Sequence, residues 1–192
     1  MNYTIRAATL ADAEVVHDIY GAYISNQHIT CTVVNPSVEA YREKIANTLP
    51  KYPFLVAESE DGHILGYVCA SMMRPKDAYK WNVESTIVLA PDAPRRHGIA
   101  THLYNCLVEH LKNQGYRYIY VVVLEHNVPS YELHKSLGFV ELARFPEAGF
   151  KQGEWKTIIW MRKCINDSKE PPLDPPLPFV EGEPVKIIME DK

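Results

Sequence analysis

The segment Tyr118-Ile119-Tyr120-Val121-Val122-Val123-Leu124 constrains this chain more than any other. It is strongly β-branched and aromatic, and it reads as a central strand buried within a sheet. The flanking sequence predicts that sheet and its covering helices. Tyr3 to Arg6 alternates as a short strand. Thr9 precedes Asp12 at the spacing of a capping box, and Leu10 to Tyr23 puts Ala13, Val16, Ile19, Tyr20 and Tyr23 on one helical face. Asn35-Pro36 opens a second helix that ends near Leu49-Pro50. Phe54–Glu58 and Ile64–Met73 predict strands, with a hairpin turn at Asp61-Gly62. Trp81–Leu89 predicts another, broken by Pro91 to Pro94. From Gly98 to Gln114 the residues Ile99, Leu103, Cys106, Leu107, His110 and Leu111 share a helical face, and Gly115 stops that helix. Val128–Leu137 predicts a short helix ended by Gly138, and Phe139–Ala143 and Lys156–Met161 predict the last strands. The expected class is α/β: a mixed, mostly antiparallel twisted sheet with helices on both faces.

From Lys163 onward the character changes. Pro171, Pro172, Pro175, Pro176, Pro178 and Pro184 forbid regular structure over most of this stretch, which is expected to be extended and polyproline-like. Pro184 to Glu190 holds an apolar patch able to dock as an edge strand. The expected division is one domain over residues 1–163 and a Pro-rich C-terminal tail over residues 164–192.

Composition excludes some functions. A length of 192 residues suits one well-buried domain, and the formal charge of −4 is spread along the chain. There is no basic block of the kind that binds nucleic acid, and no apolar run long enough for a bilayer. Met1-Asn2-Tyr3-Thr4-Ile5-Arg6 lacks the build of a signal peptide, so the cytoplasm is the expected location. Cys31, Cys69, Cys106 and Cys164 form no C-x-x-C and have no His at zinc spacing. They are expected to be reduced, mostly buried thiols, and no metal is expected.

The most informative motif is Arg95-Arg96-His97-Gly98-Ile99-Ala100-Thr101, which follows a strand and a Pro-rich loop and opens a helix. The first N–H groups of a helix have no intrahelical partner and can bind an anion. Gly98 lets the backbone approach a phosphate, Ala100 keeps the next turn open, and Arg95 and Arg96 add positive charge. The stretch reads as a pyrophosphate cradle; a loop glycine beside exposed arginines is the plain alternative. It is neither a Rossmann fingerprint nor a Walker A loop, because the required spacings are absent.

R-x-x-G-x-A between a strand and a helix resembles the acetyl-CoA signature of the GNAT acetyltransferases. The resemblance runs from about Ile5 to Arg162 and points to the branch that acetylates phosphinothricin and methionine sulfoximine. It is carried by Ile5-Arg6-Ala7-Ala8, Tyr52-Pro53-Phe54-Leu55-Val56-Ala57-Glu58, Ala78-Tyr79-Lys80-Trp81 and Glu84-Ser85-Thr86-Ile87. Further blocks are His134-Lys135-Ser136-Leu137-Gly138-Phe139 and Ala148-Gly149-Phe150-Lys151-Gln152-Gly153-Glu154-Trp155. It implies the GNAT fold, acetyl-CoA as co-substrate and a homodimer. It also implies that backbone groups of Ile87, Val88 and Leu89 hold the pantetheine arm where two strands splay apart. By the same resemblance the N–H groups from Arg96 through His97, Gly98, Ile99 and Ala100 to Thr101 hold the pyrophosphate, and Asn127 and Ser130 bond the arm near the sulfur. For Ile87 to Leu89 an ordinary core strand is the alternative.

Acetyl transfer to nitrogen needs a base to free the amine lone pair, and stabilisation of the charge that develops on oxygen. Glu84, inside an otherwise apolar strand, is the candidate base; by itself it reads rather as a solvated residue on an outward strand face, and the resemblance of the block Glu84-Ser85-Thr86 to the family's catalytic glutamate position reverses that reading. His134, where many GNAT enzymes carry Tyr, is the second candidate, for proton relay or substrate orientation. Without the resemblance it is an ordinary packing or surface histidine. Arg74, Lys76 and Tyr79, in a loop that the resemblance places over the acceptor, suit a small zwitterion with a second acidic group. Phe150, Lys151 and Trp155 fall in a block that lines or closes the site. Cys31 stands where relatives carry an aromatic residue. Other acceptors (a peptide N-terminus, a polyamine, an aminoglycoside) keep the same fold and cofactor, and a non-catalytic acyl-CoA-binding module is a further alternative.

Overall fold

In chain order the strands are β1 (Tyr3–Ala7), β2 (Phe54–Ser59), β3 (Ile64–Met72), β4 (Asn82–Leu89), β5 (Tyr118–Leu124), β6 (Val140–Lys151), β7 (Glu154–Cys164) and β8 (Val185–Ile187). The helices are α1 (Ala13–Ile24), α2 (Val38–Thr48), α3 (Ile99–Gln114) and α4 (Val128–Ser136). The computed structural model describes residues 2–26, 28–168, 170 and 174–188. Of the positions named from the sequence, Met1, Pro171, Pro172 and Glu190 lie outside the described residues. The strands form one sheet in the order β6-β7-β5-β4-β3-β2-β1-β8. Every pairing is antiparallel except β4 with β5, which matches the mixed, mostly antiparallel sheet expected.

Phe54 to Ala57 and Ile64 to Ala70 are buried without a break, so this part of the sheet is covered on both faces. α1 and α3 both pack on β3. β5 is interior but uneven. Ile119, Val121 and Val123 are buried, whereas Tyr118, Tyr120 and Val122 are half-buried. The guanidinium of Arg162 covers Tyr118 at 4.3 Å from its centroid, so an aromatic and cationic layer replaces a helix there.

Local chemistry moves several boundaries. Leu10–Asp12 is a 3-10 turn before α1, and the capping box forms, with Thr9 N–H donating to Asp12 Oδ2 at 2.6 Å. α2 begins at Val38 and not at Asn35-Pro36, because the Ser37 hydroxyl supplies the acceptor for the Ala40 N–H. On α3 the buried face is Ile99, Leu103, Tyr104, Leu107 and Leu111; Cys106 and His110 are only partly covered. Only Cys69 of the four cysteines is buried, which corrects the expectation of mostly buried thiols. The β6–β7 hairpin runs well beyond the short strands expected. Bulges between Glu141 and Ala143 and between Phe145 and Gly149 break the alternation that would have revealed it.

The tail follows the body of the protein. Asp174 C=O accepts from Trp81 Nε1 at 3.1 Å, and Gln114 Nε2 donates to Leu177 O at 2.8 Å. Phe179 packs edge-on against His110, and β8 pairs with β1 through Ile5↔Val185, as the apolar patch allows. Among the described residues no helix is long and apolar enough to cross a membrane.

Candidate functional site

β4 is fully paired on one edge and open on the other. Towards β3 the ladder is continuous from Gly66↔Leu89 to Met72↔Val83. Towards β5 it is limited to Asn82↔Tyr118, Val83↔Ile119 and Glu84↔Tyr120. Beyond Glu84 the two strands part, and a cavity of about 840 Å³ opens between Ser85–Leu89 and Val121–Leu124. A parted pair of parallel strands leaves main-chain N–H and C=O groups facing a ligand space, where they must find other partners. One is already taken: Tyr23 on α1 donates its hydroxyl to Leu89 O at 2.9 Å.

The start of α3 borders the same space through Arg95 and Ala100. Arg96 and Gly98 both adopt left-handed backbone, with φ of 63° and 71°. Successive turns of this kind gather N–H groups into an anion-binding concavity. The first intrahelical bond runs from His102 N–H to Gly98 O, which leaves the N–H groups of Ile99, Ala100 and Thr101 without a carbonyl inside the helix. A Cβ on Gly98 would meet the His102 ring at 3.3 Å, so glycine suits both the conformation and the space.

Glu84 stands where the strands part and lines the cavity. Burial raises its carboxyl pKa above the ordinary value, and the Arg74 guanidinium partly opposes this. Arg74 is exposed and outside the cavity lining, stacked over Trp160 at 5.5 Å. His134 lines the same cavity from α4 and is buried. Its Nδ1 lies 2.7 Å from Ser130 O and its Nε2 3.1 Å from the Tyr104 hydroxyl, so both ring nitrogens have protein partners. Burial lowers its pKa, which favours the neutral ring. Asn127 caps α4 by accepting from Ser130 N–H, and its Nδ2 donates to Ile29 O, tying the pocket-lining loop to this helix.

Of the residues singled out in the sequence, Glu84, Ile87, Val88, Leu89, Arg95, Ala100, Asn127, Ser130 and His134 meet around one cavity. Arg96, His97, Gly98, Ile99 and Thr101 belong to the adjoining turn and first helical residues. Lys76 and Tyr79 stay exposed outside the cavity. Phe150 is 57% exposed and packs against Trp155 across the hairpin, away from the cavity lining. Lys151 is buried and donates to Asn26 O and Thr30 O, so it braces the loop without facing the cavity. Sequence reasoning placed Tyr20 and Tyr23 in the core face of α1, yet both line the cavity. Tyr20 bonds the hydroxyls of Thr30 and Thr32 at 2.6 Å each. Phenols on a face where leucine would pack equally well were the available signal. Tyr104 carried no such signal.

A sheet that opens in its middle beside an amide-rich helix start suits a long carrier bearing amide and phosphate groups. The acetyltransferase (GNAT) domain family matches residues 5–160. The phosphinothricin N-acetyltransferase of Streptomyces viridochromogenes is 31% identical over 159 residues, covering 82% of this chain and 86% of that protein. The L-methionine sulfoximine/L-methionine sulfone acetyltransferase of Pseudomonas aeruginosa is 28% identical, covering 90% of this chain and all (100%) of that one. The structure of a GNAT phosphinothricin acetyltransferase from Sinorhizobium meliloti, in complex with acetyl-CoA, superposes with a TM-score of 0.84 at 30% identity, over 91% of this chain and 96% of that one. The chain belongs to the GNAT acetyltransferases. It is an acetyl-CoA-dependent N-acetyltransferase.

Proposed function

We propose that this enzyme acetylates the α-amine of a small amino-acid-like acceptor, such as phosphinothricin, methionine sulfoximine or a close analogue, with both substrates bound together. The observation that carries this reading is Glu84, a desolvated carboxylate placed where β4 and β5 part, with the Arg74 guanidinium acting on its charge. A base for an ammonium then lines the cavity, and a cation for an acidic acceptor lies within electrostatic reach of it. The relatives named for phosphinothricin and methionine sulfoximine support the same acceptor class.

The residues present fit acetyl-CoA. Main-chain groups of Ile87, Val88 and Leu89 hold the arm, aided by the Ser130 hydroxyl. The N–H groups from Arg96 to Thr101 hold the pyrophosphate, with Arg95 beside them. When bound, acetyl-CoA would supply the thioester carbonyl that the amine attacks; the N–C bond forms as the C–S bond breaks, and CoA leaves as a thiolate that takes its proton from solvent. Glu84 takes the proton from the acceptor ammonium, and the β4 N–H groups face the developing negative charge. Binding both partners in one cavity supplies orientation. Arg74 pairs with the acidic group of the acceptor, with Lys76 and Tyr79 on the same loop. His134 acts by orientation, since both its nitrogens are already bonded.

The two-part reading of the chain is also proposed: residues 1–163 form the transferase domain, and residues 164–192 form an appendage that braces it. The expected homodimer is supported by Val140, Leu142, Phe145, Phe150 and Trp155, large apolar side chains exposed along the β6–β7 hairpin. Light scattering at working concentration is expected to give twice the chain mass; a monomer rejects the dimer.

The test of function is a CoA-release assay over amino acids, their phosphinate and sulfoximine analogues, polyamines, aminoglycosides and peptides. Turnover of the acidic amino-acid analogues is expected. Turnover confined to polyamines or aminoglycosides overturns the acceptor assignment.

A further inference from the structure

Three buried polar side chains from three elements form one row at the base of the cleft. Ser85 Oγ on β4 lies 2.6 Å from the Tyr104 hydroxyl on α3, and that hydroxyl lies 3.1 Å from His134 Nε2 on α4. Ser85, Tyr104 and His134 are 6%, 1% and 3% exposed. Ser85 and His134 line the cavity, while Tyr104 lies below it.

The direction of the bonds is forced. The Ser130 carbonyl, 2.7 Å from His134 Nδ1, can only accept, so Nδ1 carries hydrogen. In a neutral imidazole Nε2 is then the acceptor. Tyr104 must donate to it, and the Tyr104 oxygen in turn accepts from Ser85. Burial favours the neutral ring and keeps the phenol protonated. The aromatic contacts reinforce the placement: His134 packs edge-on against Tyr104 and Phe139, with centroids at 5.4 Å and 5.2 Å.

The row spans a gap that the sheet does not. β4 and β5 exchange no ladder bonds beyond Glu84↔Tyr120, so backbone pairing does not set the spacing of Ser85–Leu89 against the far wall. α4 follows β5 directly and carries His134 on that far side. We propose that Tyr104 is a positioning residue of the transferase: its hydroxyl ties β4 to α4 across the parted strands through Ser85, the residue after Glu84, and donates to Nε2 of the His134 ring, whose Nδ1–H the Ser130 carbonyl fixes. This rests on the reading of the cleft as the acetyl-transfer site.

The first measurement needs no substrate. Long-range ¹⁵N–¹H NMR of the free protein is expected to show His134 protonated at Nδ1 alone, and Tyr104→Phe is expected to keep Nδ1–H but shift the Nε2 resonance, because that nitrogen loses its donor. In kinetics, Tyr104→Phe lowers kcat about tenfold, as for one buried bond left unpaired, while the KM for acetyl-CoA changes less. Adding Ser85→Ala to Tyr104→Phe causes little further loss, because the link is already broken. Should Tyr104→Phe not fold, Ser85→Ala and Ser85→Thr read the same link: alanine lowers kcat and threonine restores it. An Nε2–H ring in the native chain overturns the proposal, as does a Tyr104→Phe enzyme with kcat and Nε2 resonance both unchanged, or equal activity of the two Ser85 variants. A protein that turns over no amine defeats the functional reading alone, because the tautomer measurement stands without it.

Discussion

The two edges of β4 carry the same residues and have opposite fates. Against β3 the strand is zipped from Val83 to Leu89; against β5 it is zipped only from Asn82 to Glu84. The closed edge carries stability. The open edge leaves main-chain groups for a ligand, with the Tyr23 hydroxyl replacing a ladder bond at Leu89 O and the Tyr104 hydroxyl holding the Ser85 side chain. Edge pairing is therefore a property of what lies alongside, and a β-prone sequence serves both ends equally.

Substitutions can be chosen to strike one edge and spare the other. The largest effect is expected at the end of the short ladder. Glu84→Gln keeps the shape and removes the base, so kcat falls by about 10²-fold or more, while calorimetry finds acetyl-CoA affinity little changed. Normal turnover would remove Glu84 from the chemistry. On the closed edge, a Cβ at Gly66 would lie 2.7 Å from Val88 O and 2.9 Å from Leu89 Cα. Gly66→Ala is expected to destabilise by about 2 kcal/mol, which lowers Tm by about 5 °C in a thermal melt. An unchanged Tm would show that this edge is less tightly packed than its ladder implies.

Smaller effects belong to the open edge. Tyr23→Phe frees Leu89 O and should lower kcat/KM by about fivefold, with Tm nearly unaltered; a fall in Tm without kinetic change would make Tyr23 a packing residue only. The smallest is a shift in pH profile. Glu84 works as the carboxylate, and burial raises its pKa, so activity is present above that pKa and lost as pH falls through it. Arg74 opposes the rise, and Arg74→Ala should move the acid limb of kcat/KM to higher pH. A limb that stays in place would separate Arg74 from Glu84.

The sequence carried most of the element order and the chemistry of the motif, because both are local. Thr9 with Asp12, Gly98 and Gly115 at the ends of α3, and Asn127 before α4 act through their own backbone neighbours. The β6–β7 hairpin was less legible, since two bulges interrupt its period and its rim stays exposed. Arg74, Lys76, Tyr79 and Phe150 are placed near the acceptor by resemblance, and the structure leaves all four outside the cavity lining.

What the sequence determined by itself is therefore a set of strands and helices, a glycine turn that opens α3 and a carboxylate on the strand before it. What only the tertiary structure decided is which edge of β4 stays open and which side chains span the gap. Tyr104 and His134 are 30 residues apart, and Tyr23 and Leu89 are 66. Such pairs meet through the packing of whole helices on the sheet, which spacing along one chain does not encode.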